Sequence, residues 1–282
     1  MTRDPDLPGQ DGEADVKLDV ALNESCAALA VLRDRVGALV ASIPDMTVPI
    51  RGSEWRVREA AVHMFTESDV HTDMALGKPT PRSGVSRDEI ARDNERFLAE
   101  VPEATPVELG GWIRGAVDRF LDATSRRKAD EQLVWAGDAA ISLAHLAGVE
   151  LGELLLHGYD IASVVGVPWP IEPAHAALVL SGYGPLYRTI VNQELVRGLT
   201  ADVRIELRGG SAMTLRFANG AFSLEPAGPG PVDCTVSAEP VAFLMVVSRR
   251  LTQWAAITLG LLQASGSRAD LALRLTDLFV YP

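Results

Sequence analysis

The run Gly152-Glu153-Leu154-Leu155-Leu156-His157-Gly158-Tyr159-Asp160 puts a carboxylate and an imidazole four residues apart. On a helix this spacing sets both side chains on one face, one turn from each other. A carboxylate oxygen and a ring nitrogen can then converge on one ion. Histidine and carboxylate are both zinc ligands, and a catalytic site needs three protein ligands and an open position. Asp160, three residues past His157, is placed to accept the second ring N–H of a ligating histidine. A Glu/His pair at this spacing is often no more than a solvated pair. Here Leu154, Leu155, Leu156, Ile161 and Val164 make the segment apolar over most of its circumference. Charged groups in such surroundings need a partner or a metal.

A third ligand must come from another helix. His63 stands among Ala60, Ala61 and Val62. A lone histidine in that setting is ordinarily a hydrogen-bonded core residue. Glu67, one turn later, and His71 are alternative ligands, and His145, two turns before Glu153, is a weaker one. Nothing around His175 suggests a ligand. Cys26, beside Ala27 and Ala28, and Cys234, in a strand-like run, read as small core residues rather than nucleophiles. They cannot form a disulfide framework, and neither lies in a Cys-x-x-Cys pair.

Helices are needed to position these groups. Residues 1–14 are acidic and rich in Pro and Gly, which predicts a disordered tail. From Val16 to Ile43 apolar residues recur at helical steps, and Pro44 stops the pattern. Further helices are expected from about Trp55, over 87–100, over 106–125, over 144–164 and over 173–196. The segment from Lys78 to Ser86 reads as a loop. After Gly198 the pattern alternates: Val203, Ile205, Leu207, then Met213, Leu215, Phe217. Asn219-Gly220 between alternating runs is a strong hairpin signal. Cys234 and Val236 give another strand, and 240–248 and 267–278 read as helices. The apolar run from Leu251 to Leu262 reads as core or as the lining of a cleft. The fold class expected is α+β with two domains: an all-α bundle over 15–196 and a small α+β domain over 197–282.

Composition narrows the function. The chain has 282 residues, 26 Lys+Arg against 38 Asp+Glu, and a formal net charge of −12. That balance repels a phosphate backbone and anionic lipid, so neither nucleic acid nor a membrane is an expected partner. The first residues lack the apolar core and cleavage pattern of a signal peptide. Apolar runs such as Trp254–Leu262 are far too short to span a bilayer. A soluble, cytoplasmic protein is expected, with its oligomeric state open.

Two motifs carry a resemblance. Trp55-Arg56-Val57-Arg58-Glu59 followed by His63, and later Glu153, His157 and Asp160, resemble the metal-binding domain of the mycothiol-dependent maleylpyruvate isomerase family. That domain is a DinB-like four-helix bundle, and the resemblance implies a metal triad of His63, Glu153 and His157. The family usually has Ser or Thr where Arg56 stands, so the helix cap must differ, with Ser53 as the expected substitute. Residues 197–282 resemble the sterol-carrier-protein-like domain often joined to such bundles. The matching features are the Arg216–Leu224 hairpin, Asp233-Cys234-Thr235-Val236 before Ala238-Glu239-Pro240, and Gly266-Ser267-Arg268-Ala269-Asp270-Leu271. Gly266-Ser267 stands where Gly-Asp is usual.

The resemblance implies a divalent metal, with zinc the expected ion, and mycothiol, the low-molecular-weight thiol of actinobacteria, as cosubstrate. The reaction implied is isomerisation or S-transfer on a small electrophile. A diacid substrate would need a cationic partner, for which Arg56, Arg58, Arg82 and Arg249 are the candidates. Two alternatives stand beside this reading. One is a metal-dependent hydrolase, and the other a non-catalytic protein that binds a small ligand.

Overall fold

The computed structural model describes residues 10–80, 87–135 and 139–280. Two compact units divide near residue 169; residues from Pro170 onward, together with residues 87–91, belong to the second. Residues 1–9, part of the expected tail, and Arg82 lie outside the described residues.

The first unit contains α1 (Gln10–Ala41), α2 (Val57–Ala75), α3 (Arg87–Glu100) from Arg92 onward, α4 (Pro106–Thr124) and α5 (Leu143–Val165). Helix α1 packs on α4 and α5, and α2 packs on the same two, so these four close into a bundle. Their apolar stripes fill its centre: Leu29, Leu32 and Val36 of α1, Val117 and Phe120 of α4, and Leu151, Leu154 and Ile161 of α5 are all buried. Each such side chain contributes about 1.5–3 kcal/mol by leaving water. No described residue of α3 is buried. Helix α1 begins at Gln10 rather than Val16, so residues 10–14 are helical and not tail. A polar composition argues against burial, not against helix, and acidic residues are favoured in a first turn.

Helix starts follow local chemistry. The Thr105 hydroxyl accepts from the Glu108 amide at 3.3 Å, Glu108 reaches back to the Thr105 amide at 2.8 Å, and Pro106 fills the first turn. Ser142 caps α5, and Gly166 ends it. At α2 the cap differs from expectation. Ser53 does not cap it; the Ser53 hydroxyl accepts from the Trp55 amide at 3.1 Å and closes a turn. Glu59 caps α2 instead, accepting the Arg56 amide at 2.8 Å. The sequence also gave no sign of a short hairpin, β1 (Gln132–Val134) with β2 (Ala140–Ser142), directly before α5.

The second unit opens with α6 (Pro173–Tyr183), a 3-10 segment (Gly184–Thr189) and α7 (Gln193–Val196). The sequence reading made 173–196 one helix of the bundle. Pro185 has no amide to donate to an i−4 carbonyl, so the winding tightens and then breaks. Helix α6 packs on α8 (Pro240–Val247), so it joins the second unit rather than the bundle core. The sheet contains β3 (Thr200–Leu207), β4 (Ala212–Ala218), β5 (Ala221–Pro226), β6 (Cys234–Ala238) and β7 (Leu262–Ser265), in the order β5-β4-β3-β6-β7. Only β3 and β6 run parallel. Asn219 and Gly220, at φ 51° and 93°, make the tight turn between β4 and β5.

One expectation fails here, and another is met only in part. Residues 267–278 form two 3-10 turns, Ala269–Leu273 and Leu275–Leu278, broken at Arg274 (φ −116°, ψ 0°). The run 251–262 is not wholly core. It splits into α9 (Gln253–Thr258) and the start of β7, with Ala256 and Leu262 buried but Trp254 62% and Leu259 66% exposed. Among the described residues, no helix is long and apolar enough to cross a membrane.

Candidate metal centre

Helices α2 and α5 lie side by side in the bundle. His63 comes from α2, and Glu153 and His157 come from successive turns of α5. His63 Nε2 lies 3.2 Å and His157 Nε2 3.4 Å from the same Glu153 oxygen, Oε2. Donor atoms of the three residues all fall within 4.8 Å of one another. The imidazole rings meet edge to face at 4.9 Å. On the far side of His157, Nδ1 is 3.4 Å from Asp160 Oδ2, the partner that the i, i+3 spacing suggested.

This set fits a divalent ion. Two imidazoles aim Nε2 at one carboxylate, and a second carboxylate sits behind one of the imidazoles. The side chains retain 8%, 19% and 18% of their exposure for His63, Glu153 and His157, so the face is narrow yet reachable from solvent. Burial alone would raise the Glu153 pKa, but hydrogen bonds and charge from His157 and His63 hold it well below the usual carboxylate range. The carboxylate is therefore ionised and ready to ligate at neutral pH.

Trp55 walls the site, and sequence reasoning treated it only as a motif marker. Its ring centroid lies 4.7 Å from that of His63 and 5.7 Å from that of His157. The loop before α2 sets it there. The Ile50 amide donates to the Trp55 carbonyl at 2.8 Å, and Pro49 bridges to Arg56. Gly158 serves α5 from behind. A Cβ there would meet Trp169 Cζ2 at 2.3 Å, so only glycine admits the indole. Trp169 in turn donates Nε1–H to the Leu155 carbonyl at 3.0 Å, and the Arg35 guanidinium stacks on its ring at 3.7 Å.

The other ligand candidates lie elsewhere. His71 is fully buried, and its Nδ1 lies 2.6 Å from Glu150 Oε2. Ser68 donates to the other Glu150 oxygen at 2.6 Å, and Trp135 packs on the His71 ring at 5.5 Å. Burial opposes charge on His71, but the Glu150 bond and the charges of Glu150, Glu67 and Glu153 outweigh it and raise its pKa. Glu67 Oε2 is 3.8 Å from His71 Nε2. Glu150, at 0% exposure, was not singled out in the sequence; a Glu on a helix of leucines, three residues before Glu153, was the available signal. His145 Nδ1 sits 2.7 Å from the Ser142 hydroxyl at the start of α5, and burial lowers its pKa. His175 lies on α6 of the second unit.

Of the arginines, Arg56 donates to the Thr47 carbonyl at 3.2 Å and Arg58 to the Val101 carbonyl at 3.1 Å. Arg249, in the second unit, donates to the Phe279 carbonyl at 3.4 Å. Burial pushes the thiol pKa of both Cys26 and Cys234 up, which does not suit a nucleophile.

Comparison with known proteins agrees with this architecture. Residues 27–162 match the mycothiol maleylpyruvate isomerase N-terminal domain, and residues 187–280 match the SCP-2 sterol transfer family. The chain thus carries the N-terminal helical domain of that isomerase family joined to an SCP-2 domain. A search of curated proteins gave no significant match. Among solved structures, a mutant of the mycothiol-dependent maleylpyruvate isomerase matches at 14% identity and a TM-score of 0.53, over 94% of this chain and 96% of that one. The same isomerase without the mutation matches at 15% identity and a TM-score of 0.47, over 87% and 90%. The sec-alkylsulfatase Pisa1 from Pseudomonas sp. matches at 18% identity and a TM-score of 0.34; the match spans 50% of this chain but only 24% of that one.

Proposed function

We propose that His63, Glu153 and His157 hold a divalent metal, with zinc the best-suited ion, and that the protein activates a low-molecular-weight thiol for isomerisation or S-transfer on a small electrophile. The observation behind this is the convergence of the three donors within 4.8 Å on a partly open face. The similarity to mycothiol-dependent maleylpyruvate isomerase makes mycothiol the thiol of choice. A bound divalent ion supplies Lewis acidity there, which makes a thiolate available at neutral pH.

The protein's own residues do the rest. Glu153, held ionised, offsets cationic charge between the two imidazoles. Asp160 orients His157 from behind, leaving Nε2 to face the site. Trp55 shields one side from water and keeps both rings in place. Neither cysteine serves as the nucleophile, so the thiol is brought in.

The test is cobalt substitution. Adding a small thiol to the cobalt-loaded protein is expected to produce a sulfur-to-cobalt charge-transfer band that is absent in His157→Ala. A cobalt-loaded protein that shows no such band, but hydrolyses activated esters, would instead support the metal-dependent hydrolase reading. A second reading has its own observation: in the second unit Ile205, Leu215, Phe243, Val247, Leu275 and Phe279 line a small apolar cavity of about 20 Å³, which a ligand would have to widen. That lining suits a small apolar ligand, which a fluorescent fatty-acid probe would detect.

A further inference from the structure

The three donors are not fixed by the same means. Glu153 and His157 share α5, and their i, i+4 spacing alone brings them together. His63 stands on α2, so its distance to them depends on how α2 and α5 are set along each other. The residues flanking His63 are Ala60, Ala61, Val62 and Met64, and those flanking Glu153 are Leu151, Leu154 and Leu155, all buried. Apolar contacts of this kind hold two helices together but tolerate repacking and slippage.

The same two helices carry the closed cluster. Glu150 of α5 is fully buried, and each of its oxygens has one donor at 2.6 Å, Ser68 and His71, both on α2. A slide by one turn, roughly 5.4 Å, would strip both donors from a buried carboxylate. An uncompensated buried charge is strongly disfavoured, and setting register is the best-attested use of buried polar groups. The pairings run in opposite senses along the helices. From His63 to His71 α2 advances, while their partners step back from Glu153 to Glu150. Locking one pair therefore places the other. With Ser68, His71 and Glu150 at 1%, 0% and 0% exposure, no substrate reaches the cluster.

We propose that Ser68, His71 and Glu150 are positioning residues that fix the register of α2 on α5 and so hold His63 within reach of Glu153 and His157. This rests on the reading of the triad as a metal site. The test compares zinc affinity, by competition with a chromophoric chelator, for wild type, Glu150→Gln and Val117→Ala. Val117 is a buried α4 residue outside the cluster, and its variant controls for lost stability. Glu150→Gln is expected to weaken zinc binding about tenfold or more, as loss of outer partners does, while Val117→Ala leaves it unchanged. In a His63→Ala background, Glu150→Gln should have no further effect, because it acts through His63. Should Glu150→Gln not fold, Ser68→Ala decides by the same readouts. Unchanged zinc affinity, or an equal loss without His63, would overturn the positioning role and leave the metal site standing. A wild-type protein that takes up no zinc overturns both.

Discussion

Two polar clusters lie along the α2–α5 seam, built from the same residue types. His63, Glu153 and His157 keep 8–19% side-chain exposure, with both imidazoles aimed at one carboxylate oxygen. His71 and Glu150 keep none, and each Glu150 oxygen has its own donor within hydrogen-bond distance. The contrast shows that composition does not decide whether a His/Glu cluster is chemical or structural. Convergence of donors on one point, together with a path to solvent, makes a site. One donor per acceptor in a sealed interior makes a lock.

The sharpest way to break this comparison is to truncate a member of each cluster. Glu153→Ala should abolish stoichiometric metal binding, read by elemental analysis, while the thermal unfolding midpoint of the metal-free form falls less than for a truncation in the buried cluster. Glu150→Ala should instead act first on stability, weakening zinc binding through the position of His63 without removing a ligand. Breaking a buried pair by removing one partner costs about 3–5 kcal/mol in urea denaturation. Replacing Glu150 and His71 together by leucine should cost much less than the sum of the single changes. Next in size is Gly158→Ala, which drives a methyl into Trp169 and should destabilise by about 1–3 kcal/mol through overpacking.

The smallest effects separate the clusters by pH in the metal-free protein. His71 has a raised pKa, so its contribution is fully present below the unfolded value of about 6.5 and is lost as pH rises through the folded one. The stability difference between wild type and His71→Gln should shrink on the alkaline side. Glu153 has a lowered pKa, so its contribution is present above the unfolded value of about 4.3 and is lost as pH falls through the folded one. The difference between wild type and Glu153→Gln should shrink in acid. Denaturant midpoints across pH check both.

Much of this was legible in the sequence because it is periodic. The i, i+4 spacing of Glu153 and His157, the stop signal at Pro44 and the Asn219-Gly220 turn are local, and local chemistry decides them. What escaped is non-local. Glu150 and His71, 79 positions apart in sequence, meet only because their two helices pack together. Pairing of β7 with β6 and exposure of Trp254 depend on the rest of the second unit, not on their own neighbours. Ser53 failed as a cap because the chain turns at Trp55 and leaves the task to Glu59, a choice of one turn that propensity does not resolve.

The central claim is that the open cluster holds a metal. Protein purified without added metal, then exposed to zinc and desalted, should retain about one zinc per chain by elemental analysis, as a three-ligand site would. His157→Ala, equally folded by circular dichroism, should retain none. Wild-type protein that keeps no zinc, or a His157→Ala variant that keeps as much as wild type, would contradict the account.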